Sequence, residues 1–245
     1  MSEAPTVARS RSRITGLGML GSLLAVALIY STWPVDPMPR IDADAHTSAP
    51  SQPGILVVTY IANEGVLIAS GDKQILIDGL HRRYQRGYPY LPEPHREKIE
   101  TAAPPFDGID LVLVSHLHLD HFHPESVGRH LQHNPQARLV SSQQVVGEVE
   151  KPFKDYAMIK SRVTTATPRL TQRIAMNIAG IDVAFLPMWF LTGEQGRDVV
   201  RDHIKPRQIV AVHMPASGAD RAAAEIKQHF PDAVTFTTLL EKRTY

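Results

Sequence analysis

The sequence predicts a mixed α/β domain in which two β-sheets pack face to face, with helices on their outer sides. Two patterns carry this expectation. Three short strands at hairpin spacing open the folded region, and from residue 110 strands and helices alternate to the C-terminus. Length agrees: about 190 residues remain once the N-terminal segment is set aside, which suits one domain rather than two.

Each element follows from local chemistry. Residues 55–61 are β-branched and aromatic, Asn63-Glu64-Gly65 is turn chemistry, and residues 66–69 return as a strand. Ser70-Gly71-Asp72-Lys73 makes the next turn, and residues 74–78 form a third strand. Residues 81–106 break the pattern with five prolines and three tyrosines, and read as a long loop over one end of the sheet. Tyr84, Tyr88 and Tyr90 either line a substrate entrance or pin this loop with their own rings. Residues 110–114 form an apolar strand, and Pro124 opens a helix that runs to about His133. A strand near 138–140, a helix near 143–151 and strands near 173–178 and 181–186 follow. A helix over 194–204 leads into the strand 208–212, then a helix over 219–230 and a last strand near 233–237.

The N-terminus has a different character. Arg9, Arg11 and Arg13 precede an uncharged apolar run over residues 14–30, the pattern of an export signal or an N-terminal anchor. The run sits at the lower limit for spanning a bilayer. Arginines on its N-terminal side place that end in the cytoplasm and the remainder outside. Residues 1–31 are therefore read as signal peptide or membrane anchor, 32–53 as a Pro/Ala/Asp-rich tether, and 54–245 as the folded domain. The expected location is periplasmic, or anchored to the inner membrane and facing outward.

Composition removes several function classes. Lys and Arg number 26 against 25 Asp and Glu, so no broad nucleic-acid-binding surface is expected. The absence of Cys excludes disulfides, thiolate metal sites and a Cys nucleophile. Neither a Gly-x-Ser-x-Gly nucleophile elbow nor a phosphate-cradling glycine loop occurs in the folded region. Any transition-metal site must be built from His, Asp and Glu.

The histidines supply one. The apolar strand 110–114 runs straight into Ser115-His116-Leu117-His118-Leu119-Asp120-His121-Phe122-His123. In extended backbone, side chains two apart share a side, so His116 and His118 can converge on one ion. Asp120 and His121 fall where the chain turns toward the helix, and can face a second position. Imidazole and carboxylate suit Zn²⁺, and Mn²⁺ or Fe²⁺ accept the same ligands. His123, His130 and His133 are read as surface residues or as supports behind the ligands.

His-x-His-x-Asp-His after an apolar strand closely resembles the metallo-β-lactamase-fold hydrolase superfamily. The resemblance runs from about Ile55 to the C-terminus and includes the opening hairpins, Asp78 and His213 at strand ends. With the segments 103–116 and 182–190, it is nearest to exported bacterial members of the lactonase-like and N-acyl-phospholipid-cleaving branch. It implies an αββα sandwich with metals at one edge of the sheets. It also implies that His116 and His118 belong to a first metal site, and Asp120, His121 and His213 to a second.

The same resemblance implies a third His and a bridging Asp between the motif and the final His. No His occurs between His133 and His203, and the Gly-Asp hairpin expected to carry the bridging carboxylate is missing. The shortfall is placed at Gly180–Ile181, where an internal segment and part of the second sheet are expected to be lacking. Asp182 begins its strand rather than ending it, and is a poor replacement.

The resulting expectation is a metal-dependent hydrolase using one ion rather than two. Three ligands and an open position form a catalytic mononuclear site that lowers the pKa of bound water to about 7. Asp120 is the candidate catalytic residue, orienting that water as well as binding the ion. The substrate is an ester, lactone, amide or phosphodiester of a small molecule or lipid. The alternatives are a pseudoenzyme or binding protein with a partial metal site, and a shortened chain with an incomplete sheet. Trp189 and Phe190 either line an acyl pocket or close the core, with the core reading preferred.

Overall fold

The computed structural model describes residues 40–41, 55–166 and 181–245. The expected signal (1–31), the tether apart from residues 40–41, and the strand expected at 173–178 lie outside the described residues. Among the described residues, no helix is long and apolar enough to cross a membrane.

The chain runs β1 (Arg40–Ile41), β2 (Leu56–Ala62), β3 (Gly65–Ser70), β4 (Lys73–Ile77), α1 (His95–Glu100) and β5 (Leu111–Val114). Then come α2 (Pro124–His133), β6 (Arg138–Ser142), α3 (Gln143–Glu150), α4 (Tyr156–Ile159) and β7 (Val163–Ala166). After residue 180 follow β8 (Val183–Pro187), α5 (Met188–Thr192), α6 (Glu194–Val199, continued by a π-helical turn, Val200–Ile204) and β9 (Gln208–Val212). The last elements are α7 (Ala219–His229), β10 (Val234–Thr235), β11 (Thr238–Leu239) and β12 (Lys242–Thr244).

A seven-stranded sheet has the order β12-β2-β3-β4-β5-β6-β7, and a three-stranded sheet the order β10-β9-β8. Short turns make β2, β3 and β4 antiparallel, whereas longer connections bring β5, β6 and β7 back in parallel. Three apolar layers follow from this arrangement. Val58, Tyr60 and Val66 of the large sheet meet Val210, Val212 and Phe236 of the small-sheet side. The other face of the large sheet packs Leu76, Val112 and Leu139 against Val127, Leu131 and Val145 of α2 and α3. Behind the small sheet, Ala211 meets Leu191, Ala222 and Ile226 of α5 and α7. This is the expected αββα sandwich, with only three strands in its second sheet among the described residues.

Several local expectations need correction. Residues 81–106 are not loop throughout, because α1 forms within them. The helix α4 and the strand β7 were not foreseen, and the expected strand 233–237 shortens to β10, with β11 following beyond it. His130 is not a surface residue: it is fully buried on α2, with Nδ1 2.6 Å from the carbonyl of Ile99.

The sheet register sets the site. Val66 pairs with Ile77, and Ile77 with Leu113, so the β2–β3 turn, Asp78 and Ser115 share one edge of the large sheet. Gly65 permits this: a Cβ there would lie 2.9 Å from both the Ala62 carbonyl oxygen and the Gly79 Cα. β9 ends at the same edge, where the His213 N–H donates to the Asn63 carbonyl at 2.9 Å.

Candidate metal centre

Three strand ends and one turn deliver the side chains. The β2–β3 turn brings Asn63 and Glu64, β4 ends at Asp78, β5 runs into the motif 115–121, and β9 ends at His213. Asn63, Asp78 and His213 have left-handed backbone, at φ 54, 47 and 56. Such conformations in non-glycine residues cluster where side chains must be aimed at a site.

Glu64, His121 and His213 converge. One ligand atom from each lies within 4.8 Å of the other two, in a largely buried setting. The Glu64 carboxylate reaches across from His121 Nδ1 to His213 Nε2. Asp120 Oδ2 lies 3.9 Å from both His121 Nε2 and His213 Nε2. A largely buried carboxylate set between two imidazole rings fits a divalent cation, and an all-N/O donor set admits Zn²⁺, Mn²⁺ or Fe²⁺.

His121 is held from behind. Asp78 Oδ2 is 2.9 Å from its Nδ1 and accepts the Ser115 hydroxyl at 2.6 Å, while Asp78 Oδ1 accepts the Ser115 N–H at 2.8 Å. Burial lowers the His213 imidazole to about 4, which keeps the ring neutral, with one nitrogen free for an ion, at neutral pH. Burial, then the neighbouring His121 and His118, also lowers His116.

The sequence-derived candidates therefore divide. Asp120, His121 and His213 come together around one position. His116 and His118 lie beside them but face each other, His116 Nε2 being 3.0 Å from His118 Nδ1, with His118 exposed. Asp182 is remote in role, an exposed partner of Arg207 at 3.0 Å. Glu64 was missed, because within Asn-Glu-Gly it reads only as turn chemistry. Its usable signal was position, in a turn opening onto the edge where Asp78 and the motif end.

A cavity of about 550 Å³ opens onto this cluster. Val66, Ile77, Phe185 and Val212 line its inter-sheet wall, and the rings of Tyr88 and Trp189 both lie against that of His213. The Trp189 ring centroid is 4.4 Å from that of His213, and the indole is 48% exposed. Phe190 instead packs toward the helices behind the small sheet. The preferred core reading thus holds for Phe190 and fails for Trp189, because α5 turns the two side chains apart.

A family model described as a beta-lactamase superfamily domain matches residues 57–189, more than half of the chain. The chain belongs to the beta-lactamase superfamily. Among solved structures it is similar to a metallo hydrolase from the archaeon Ignicoccus hospitalis. That match has 14% identity and a TM-score of 0.51, and covers 78% of this chain and 98% of the other. CmlA, a diiron β-hydroxylase from Streptomyces venezuelae, matches at 14% identity with a TM-score of 0.47, covering 80% of this chain and 54% of its own. No curated protein matches the chain. Members of the superfamily bind metal ions, and the Glu64–His121–His213 cluster is this chain's candidate site.

Proposed function

We propose that the protein is a metal-dependent hydrolase that uses one divalent ion, zinc before manganese or iron, to cleave an ester, lactone, amide or phosphodiester. The observation that carries this reading is the convergence of Glu64, His121 and His213 at the floor of a cavity in a beta-lactamase superfamily domain. Those three residues would hold the ion. When bound, it supplies a Lewis acid that polarises the scissile group and acidifies water.

The chain's own residues do the rest. Asp120 Oδ2, 3.9 Å from both imidazoles, joins the donor set or accepts the proton of the attacking water. Asp78 holds His121 by Nδ1, and Ser115 fixes Asp78. Tyr88 and Trp189 line the cavity with their rings against that of His213. The N-terminal arginines and apolar run support an exported or membrane-anchored setting.

Metal analysis of the purified chain, paired with hydrolysis of chromogenic esters and phosphodiesters, tests this reading. About one equivalent of metal per chain is expected, with turnover removed by chelation and by Asp120→Ala. No binding of zinc, manganese or iron would overturn it. Stoichiometric ligand binding without turnover in the metal-loaded protein would mark a binding protein instead.

A further inference from the structure

The walls of the cavity constrain what it can accept. Three carboxyl side chains, Glu64, Asp78 and Asp120, line it, and no Lys or Arg does so among the described residues. Four arginines of the segments flanking the motif are committed elsewhere. Arg82, Arg96 and Arg129 pair with Glu100 and its acidic neighbours, and Arg83 lies over the Tyr90 ring. Even with a divalent ion in place, two positive charges face three carboxylates. A second anionic group brought against this floor meets repulsion and finds no fork of guanidinium donors to receive it.

The rim has the opposite character. Trp189 is 48% exposed while lying against the His213 ring, and Tyr84 is 43% exposed while stacking edge-on with Tyr88. Large apolar side chains left in water around a polar floor mark a surface that gains from covering by an apolar ligand. Phe185 and Val212 continue that surface inward between the sheets.

We propose that this site takes an uncharged, amphiphilic carboxyl derivative (an ester, lactone or amide) whose acyl or aromatic group lies on Trp189, and that it discriminates against phosphodiesters. The proposal rests on the hydrolase reading above and narrows it. Hydrolysis adds water across the acyl bond: the acyl carbon keeps the oxygen, the leaving alcohol or amine takes a proton, and no redox partner is needed.

The chain carries its own reporter. It has two tryptophans, Trp33 and Trp189, so Trp33→Phe leaves Trp189 as the sole indole, at the cavity mouth. In full-length Trp33→Phe protein stripped of metal, quenching of Trp189 is titrated with 4-nitrophenyl butyrate and with bis(4-nitrophenyl) phosphate. The ester is expected to saturate at concentrations about tenfold lower than the phosphodiester, and adding Glu64→Gln should narrow the gap. Equal or tighter binding of the phosphodiester, or no quenching by either, overturns the proposal. The two readings fail separately. An ester preference without metal uptake would sink the hydrolase reading alone, whereas a metal-loaded protein that turns over the phosphodiester faster would sink only the substrate class.

Discussion

Asn63 donates from Nδ2 to the main-chain carbonyl of Asp120 at 3.2 Å, joining a hairpin turn to the metal-binding motif across 57 residues of chain. The same residue accepts the His213 N–H on its own carbonyl. One buried amide side chain and one peptide carbonyl thus fix three of the converging segments to each other. Neighbouring Glu64 inherits its aim from that bracing.

Asn63→Ala should be destabilising twice over. It leaves the Asp120 carbonyl without its donor, a loss of about 2 kcal/mol, and it forces alanine into φ 54, a further penalty of about 1 kcal/mol. For a domain of this size that corresponds to a fall in Tm of roughly 6–12 °C. Asn63→Gly suffers only the first effect and should melt higher than the alanine variant. Thermal unfolding followed by circular dichroism distinguishes them, and equal melting of both variants would remove the backbone argument.

Glu64 is the residue whose role the metal test bears on most directly. Glu64→Gln keeps the size of the side chain and removes the charge between His121 and His213. Metal affinity, measured by competition with a chelating dye, should fall by about tenfold or more. Unchanged affinity would reduce Glu64 to a hydrogen-bonding turn residue.

Much of the scaffold was legible because its signals are local. The helix Pro124–His133 follows from proline at its first position, and Gln208–Val212 from an unbroken apolar run. The helix His95–Glu100 was hidden because tertiary ion pairs support it, with Glu100 gripped by Arg82 and Arg129 from other segments as well as by Arg96 one turn before it. Val163–Ala166 is short, and three of its four residues are exposed at the sheet edge, so no apolar alternation announced it. At the site, residues adjacent in sequence could be grouped from the motif. Glu64 could not, since only the pairing of Val66 with Ile77 carries its turn to the same edge.

Glu100 also makes acid stability predictable. Burial, the largest single influence, acts to raise its carboxyl, but hydrogen bonds from Arg82 and Ser126 and the Arg82 charge outweigh it and hold the group at about 2. The folded value lies below the ordinary 4.5, so the folded chain binds fewer protons between the two. The stabilisation from this group is complete above about 4.5 and disappears as pH falls toward 2. Denaturant unfolding at pH 7, 4.5 and 3 should show the wild type losing stability across the acid step. Glu100→Gln should start less stable and show a shallower loss, and an equally steep loss would assign the acid sensitivity to other carboxylates.

Asp78 offers the sharpest separation of positioning from folding. Its carboxylate receives the Ser115 N–H, the Ser115 hydroxyl and His121 Nδ1, on a backbone at φ 47. Asparagine tolerates that backbone, so Asp78→Asn should fold, retaining the acceptor for Ser115 N–H on its amide oxygen. The amide nitrogen can only donate, so it cannot replace Oδ2 as an acceptor for both the hydroxyl and the imidazole. His121 then loses the partner that sets its tautomer and ring orientation. Metal affinity should drop by about 10–100-fold while Tm of the metal-free protein changes by only a few degrees. A large fall in the metal-free Tm with unaltered affinity would make Asp78 a structural residue, with no part in aiming His121.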